Sequence, residues 1–147
     1  MLANIHVRPA VKNDLAEISS FLEANGLPAS GVEKCVESFV VAENKTGSWV
    51  GIAGLEVYGR SGLLRSVAVD KRFRGMGQGR ALVDAVLRNA KSKNIEMVYL
   101  LTDDAEQYFT GLGFEVVDRE DVDEAVKASV EFGDMCASAV AMRKPLK

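Results

Sequence analysis

Apolar positions along the chain switch between a period of two and a period near four, and the switches mark out its elements. Residues 5–8 alternate as a short strand, and Pro9 ends it or places it at a sheet edge. Leu15, Ile18 and Leu22 then repeat at helical spacing. Asp14, with Glu17 three residues on, reads as a variant capping box at the start of that helix. Asn25-Gly26 closes it, and Pro28 prevents it from resuming. Residues 31–38 read as a second, short helix, and 27–31 as a small connection of the kind that can sit over a site. Residues 39–43 and 49–58 are strands joined by the turn 44–47 into a hairpin. Gly51 and Gly54 inside the second strand point to a close neighbour or a bulge. The turn 59–62 leads into a third strand, so this part is an antiparallel meander.

That third strand, 64–69, runs through a charged turn into Arg74-Gly75-Met76-Gly77-Gln78-Gly79-Arg80. A helix over 77–92 follows. Leu82, Val83, Val86, Leu87 and Ala90 line one face, and Asp84, Arg88 and Lys91 lie mainly on the other. The apolar run 97–101 has strand length. Strand, helix and strand in this order predict a right-handed crossover with the two strands parallel. Asp103 reads as the cap of a helix over 105–112 that ends at Gly113, with strand 114–117 behind it. Asp121 reads as the cap of a helix to about residue 132, and 137–142 as the last strand. No repeat or linker interrupts the pattern, so residues 1–147 are expected to form one α/β (α+β) domain.

Composition removes several function classes. The chain has 147 residues, 48% hydrophobic and 27% charged, with a formal charge of −3, which argues against a basic nucleic-acid face. No apolar run approaches the roughly 20 residues of a membrane helix, and the start of the chain lacks the pattern of a secretion signal. Cys35 and Cys136 are far apart and His6 is the sole histidine, so neither a zinc site nor a Ser-His-Asp triad assembles by spacing. A reducing cytoplasm is the expected compartment, and exposed sheet edges leave room for a homodimer.

The chemistry concentrates at the glycines. A glycine loop opening a helix aims unpaired backbone N–H groups at one point, on the positive end of the helix dipole, where phosphate binds. No Gly-Lys pair is present, which excludes a P-loop. Gly75, Gly77 and Gly79 are spaced two apart, which departs from the dinucleotide fingerprint G-x-G-x-x-G. The stretch Arg74–Gly79 instead fits [QR]-x-x-G-x-[GA], and Ala105-Glu106-Gln107-Tyr108-Phe109-Thr110-Gly111-Leu112-Gly113-Phe114 fits a short helix ending in Gly-Phe. Together these resemble the GCN5-related N-acetyltransferase (GNAT) superfamily along nearly the whole chain.

The resemblance implies a mixed sheet of six or seven strands with a splayed parallel pair, and an acetyl-CoA site without a metal. The backbone amides of Arg74, Gly75, Met76, Gly77, Gln78, Gly79 and Arg80 would hold the pyrophosphate. Val67 and Val69 would pair with the pantetheine arm, and the Val67 amide would stabilise the oxyanion formed when an amine attacks the thioester. Many members place an acid-donating tyrosine where this chain has Phe109, so the neighbouring Tyr108 is the candidate acid, against a packed aromatic. The strand pattern E-[IL]-R-S-[LV]-A-V becomes Leu63-Leu64-Arg65-Ser66-Val67-Ala68-Val69, so its glutamate is missing. Glu56 on the preceding strand is the candidate base, acting through water, against a strand-face charge. Arg65 is either a clamp for a substrate carboxylate or half of a structural salt bridge.

Val130-Glu131-Phe132 followed by Met135-Cys136-Ala137-Ser138-Ala139-Val140-Ala141-Met142 is similar to the ending of amino-acid N-acetyltransferases, and closer still to a branch associated with arsenic-resistance operons. The implied acceptor is the amine of a small, carboxylate-bearing molecule such as an amino acid or analogue. The alternatives are a degenerate acetyl-CoA-binding module and a peptide or protein N-acetyltransferase.

Overall fold

The computed structural model describes residues 5–129, 131–132 and 139–146. Among them, seven strands form one sheet in the order β1 (His6–Pro9), β2 (Val40–Glu43), β3 (Trp49–Tyr58), β4 (Ser61–Val69), β5 (Met97–Thr102), β7 (Val140–Pro145), β6 (Glu115–Val117). Every neighbouring pair is antiparallel except β4 and β5. The expected meander and parallel crossover are therefore both present. The crossover is made by α2 (Gln78–Ser92), whose Leu82, Val83, Val86, Leu87 and Ala90 are buried against one sheet face. The face carrying Ile52 and Ala68 is covered by α1 (Leu15–Ala24), through Ile18 and Leu22. A third cluster joins Leu63, Tyr99 and Ala141 to Val126 of α4 (Glu124–Lys127). None of the described helices is long and apolar enough to cross a membrane.

The two interior glycines of β3 serve both purposes the pattern suggested. A Cβ on Gly54 would collide with the Phe39 ring, and one on Gly51 would stand 2.8 Å from the Ala68 carbonyl. Between them the register jumps: Ile52 pairs with Ala68, whereas Gly54 pairs with Arg65. Ser66 and Val67 thus oppose the single residue Ala53, a β-bulge, and Ser66 takes a left-handed φ of 60° to make it. The pairing of β4 with β5 stops short of the bulge. The parallel pairing covers only Ser61 to Leu63 against Met97 to Tyr99. A bulged strand is bent and over-twisted, and the bulged part of β4 borders the cleft between the two strands.

Several boundaries differ from the sequence reading. Residues 31–38 form two 3-10 turns, Val32–Lys34 and Val36–Ser38, because Cys35 at φ −139° and ψ 20° interrupts the helix. The Asp14 carboxylate takes the Val11 N–H at 2.8 Å and the Arg8 guanidinium, and it caps a 3-10 turn ahead of α1. Asp103 caps nothing: α3 (Glu106–Gly111) starts after Ala105, whose N–H is taken by Thr102 Oγ1 at 3.0 Å. Asp121 sits in a 3-10 turn, and α4 is capped by Asp123 through the Ala125 N–H and ends at Lys127. The expected last strand begins later, at Val140, and Met135, Cys136, Ala137 and Ser138 lie outside the described residues.

Candidate active site

Strand β4 and the start of α2 frame the larger of two neighbouring cavities. Gly77 is the N-cap of α2 at φ 80°, ψ 9°, and Gly75 has φ 82°. Both values lie in the left-handed region that a side chain disfavours. The first helical hydrogen bond runs from the Ala81 N–H to the Gly77 carbonyl at 3.1 Å. The amides of the preceding residues have no acceptor on the helix, and these residues border a groove of about 930 Å³. Gly75, Gly77, Gln78, Gly79, Arg74 and Arg80 line it at this end, and Val67 and Val69 on its strand side. Met76 is exposed beside the loop.

The strand's polarity can be read from its partners. The Asp70 N–H donates to Val50 on β3 at 2.8 Å, so position 70 points its amide into the ladder. Strand alternation then turns the backbone of Val69 toward the cleft, and Val67, within the bulge, lines both cavities. The Val69 carbonyl confirms this polarity: it accepts from Arg74 Nε at 2.8 Å, while Arg74 Nη2 reaches Asn25 Oδ1 at 3.1 Å. Arg74 therefore bridges β4 to the end of α1, across the groove wall.

Tyr108 and Phe109 part company around the cleft. Tyr108 lines the groove, half-exposed, with its hydroxyl 2.5 Å from where a Cβ on Gly79 would stand. Desolvation raises its pKa above the ordinary phenol value. Phe109 is buried and lines the second cavity, of about 380 Å³, on the far side of Val67. That cavity is enclosed by Leu27 and Pro28 from the loop after α1, by Arg65, Ser66 and Val67 of β4, by the end of β5 with Asp103 and Asp104, and by Glu131. Val67, Leu27, Asp104 and Ala105 border both spaces.

Arg65 is buried, with its donors engaged. Nε donates to Ser66 Oγ at 2.9 Å, Nη1 to the Ser30 carbonyl at 2.7 Å and to Glu56 Oε2 at 2.8 Å, and Nη2 to the Pro28 carbonyl at 3.3 Å. Glu131 Oε2 stands 3.8 Å from Nη2. Of the two sequence readings, this geometry is that of the salt bridge. Glu56 is paired with Arg65 and also accepts from the Tyr58 hydroxyl. It lines a separate small cavity with Cys35 and Tyr58, away from the cleft. Leu63 is buried opposite Tyr99. Sequence reasoning missed Asn25, Asp104 and Glu131. Asn25 had been read only as a helix stop, and Glu131 sits at the edge of the C-terminal motif without a periodic signal.

Burial and the bond to Glu56 push the Tyr58 hydroxyl up to about 12. A folded pKa above the unfolded value near 10 gives stability that is complete below pH ~10 and lost as pH rises toward 12. Thermal melts from pH 9 to 12 should show this loss, and Tyr58→Phe should flatten that part of the profile. An identical slope in the variant would remove Tyr58 as its cause.

A family model described as the Acetyltransferase (GNAT) domain matches residues 36–116, which span β2 through most of β6. The chain belongs to this family. A curated relative, an amino-acid acetyltransferase of Mycobacterium tuberculosis (strain ATCC 25618 / H37Rv), is 34% identical over 108 residues, 71% of this chain. The match spans 59% of that relative's length. Among solved structures, this GNAT chain superposes on Rv2747 from Mycobacterium tuberculosis, in complex with CoA, at 26% identity and TM-score 0.78, covering 97% of this chain and 99% of that one. N-acetylglutamate synthase from Neisseria gonorrhoeae, complexed with coenzyme A and N-acetyl-glutamate, shares the fold at TM-score 0.83 and 16% identity, with 97% of this chain and 35% of that one covered.

Proposed function

We propose that this GNAT domain is an N-acetyltransferase that moves acetyl from acetyl-CoA to a small-molecule amine in a ternary complex. One observation carries the reading: the groove at the N-terminus of α2 meets the second cavity at Val67, where β4 and β5 part. The groove takes the cofactor, with pyrophosphate on the amides of residues 74–80 and the pantetheine arm along Val67 and Val69. The second cavity takes the acceptor. Its modest volume and its wall of Gly26, Leu27 and Pro28 favour a small molecule over a peptide lying in an open groove. The amino-acid chemistry of the relatives supports an acceptor of that size.

In the reaction the neutral amine nitrogen bonds to the thioester carbon. The carbonyl oxygen becomes an oxyanion facing the Val67 N–H, and the C–S bond breaks to release CoA thiolate. The proton lost by the amine balances the one gained by the sulfur. Tyr108 lines the cofactor side of the cleft, which supports it as the donor, and its raised pKa keeps it protonated at neutral pH. A thiolate with a pKa near that of cysteine, roughly 8.5, leaves without much help. Arg65 and Glu56 hold the acceptor wall through the Ser30 and Pro28 carbonyls, without touching the reacting atoms.

Titration with acetyl-CoA followed by a thiol-release screen tests the proposal. Saturable binding and turnover of at least one amine are expected. Tyr108→Phe should lower kcat about tenfold, below the usual range of general-acid effects because the thiolate leaves readily, with cofactor affinity retained. No binding at millimolar acetyl-CoA would sink the cofactor reading. Binding without turnover on any amine would favour a degenerate acetyl-CoA module. An unchanged kcat in the variant would make Tyr108 a groove wall.

A further inference from the structure

Seven polar or charged side chains are buried among the described residues, and all but one hold a hydrogen bond or an ion pair. Gln78 is the exception. It is 6% exposed, and among the described residues its carboxamide makes no hydrogen bond. Yet every fully enclosed side-chain nitrogen and oxygen there has a partner. The carboxamide is therefore not sealed in. The little surface that Gln78 keeps includes its amide tip, and the space it lines is the cofactor groove.

Gln78 is the first residue of α2 and stands four before Leu82, so the two share the buried face of the helix. A Cβ on Gly51 would stand 2.8 Å from Leu82 Cδ1, and Gly51 pairs with Val69 of β4. Gln78 thus belongs to the strand side of the groove, with Val67 and Val69, whereas Arg74, Gly75, Met76 and Gly77 are exposed. A buried amide without a partner costs stability, and an apolar side chain of the same size would not. The loop pattern [QR]-x-x-G-x-[GA] leaves this position free, so the turn itself does not call for glutamine.

We infer that the Gln78 carboxamide binds the pantetheine arm of the cofactor, as a side-chain partner beside the backbone of β4. The inference rests on the groove being the acetyl-CoA site. A carboxamide offers both donors and an acceptor. The arm carries amides and a hydroxyl, which can use both. A phosphate only accepts, and Arg80 and the open amides of the loop already border the groove as donors for it.

Gln78→Met keeps the length of the side chain and removes its polar atoms. Without ligand, its melting temperature should rise by about 3 °C, because an unpaired amide has gone. Its Kd for CoA should nevertheless rise about tenfold. The Kd for ADP, which has the pyrophosphate but no arm, should stay unchanged. A gain in stability together with a loss of affinity is the opposite of what a packing defect produces. Gln78→Asn draws the amide back by one carbon and should lose CoA affinity without the gain in stability. Calorimetric titrations and thermal melts of the three proteins decide it. A CoA affinity within about threefold in both variants overturns the inference and leaves Gln78 an unpaired core amide. Equal losses for ADP and CoA assign the amide to the phosphates and overturn it too. A lower melting temperature in Gln78→Met shows the amide to be satisfied within the fold, against the inference. Failure of CoA or of ADP to bind the unaltered protein at millimolar levels removes the parent reading of the groove. A CoA affinity indifferent to Gln78 removes this inference alone.

Discussion

Replacing Gly77 by aspartate is expected to raise the Kd for acetyl-CoA by at least about a hundredfold while leaving the fold in place. Gly77 is the N-cap of α2, and its φ of 80° lets the chain turn with no side chain over the amides. Aspartate is a preferred N-cap residue, and its carboxylate would accept from the same first-turn amides that are open to phosphate. It would occupy the anion site from within and repel the pyrophosphate. Two charge-assisted bonds lost, at roughly 1.5–3 kcal/mol each, amount to about 3 kcal/mol or more, which is two orders of magnitude in Kd. Strain at positive φ, of order 1 kcal/mol, is offset by a capping gain of similar size, so the melting temperature should move by only a few degrees. A Kd within threefold of the unaltered protein would show that the phosphates lie elsewhere.

Arg65→Ala should be the most destabilising single change near the cleft. It would strand the buried Glu56 carboxylate, leave Glu131 without its neighbouring cation, and remove the donor from the Ser30 and Pro28 carbonyls. Removing one partner of a buried pair costs about 3–5 kcal/mol. For a chain of this length that is a fall of about 10 °C in Tm. The double variant Arg65→Met with Glu56→Leu should recover part of the loss, because the best-paired charges leave together. Thermal melts of the three proteins decide it. If Arg65→Ala melts within 2–3 °C of the unaltered protein, by our order-of-magnitude reckoning, the brace carries no such load.

These two residues also mark how far the sequence could be read. Gly77 was legible because local rules produce it: a strand, glycines spaced two apart and an amphipathic helix imply open amides whatever lies around them. The parallel crossover was legible for the same reason. Arg65 left two readings open because its partners come from positions 28, 30, 56 and 131, and no periodicity links them. Helix starts failed where acidic residues crowd together. Asp103 and Asp121 each look like caps, yet Asp123 caps α4 and α3 has no side-chain cap, Thr102 taking only the Ala105 N–H ahead of it, since the cap is set by where the backbone leaves extended geometry. The bulge was half visible in Gly54, but nothing local announced that Ser66 would adopt a positive φ to complete it.

Strand β4 contributes to all three apolar clusters, through Leu64, Ala68 and Leu63. Tolerance to substitution is therefore unevenly distributed around the cleft. The positions proposed to hold the cofactor and the thioester lie on a strand tied to every part of the interior, so drift there costs the whole fold. Leu27, Asp103 and Asp104 reach the proposed acceptor cavity from connecting segments, where exchange is tolerated best. Lineages descended from such a chain could change the molecule they modify many times without altering the donor they draw on.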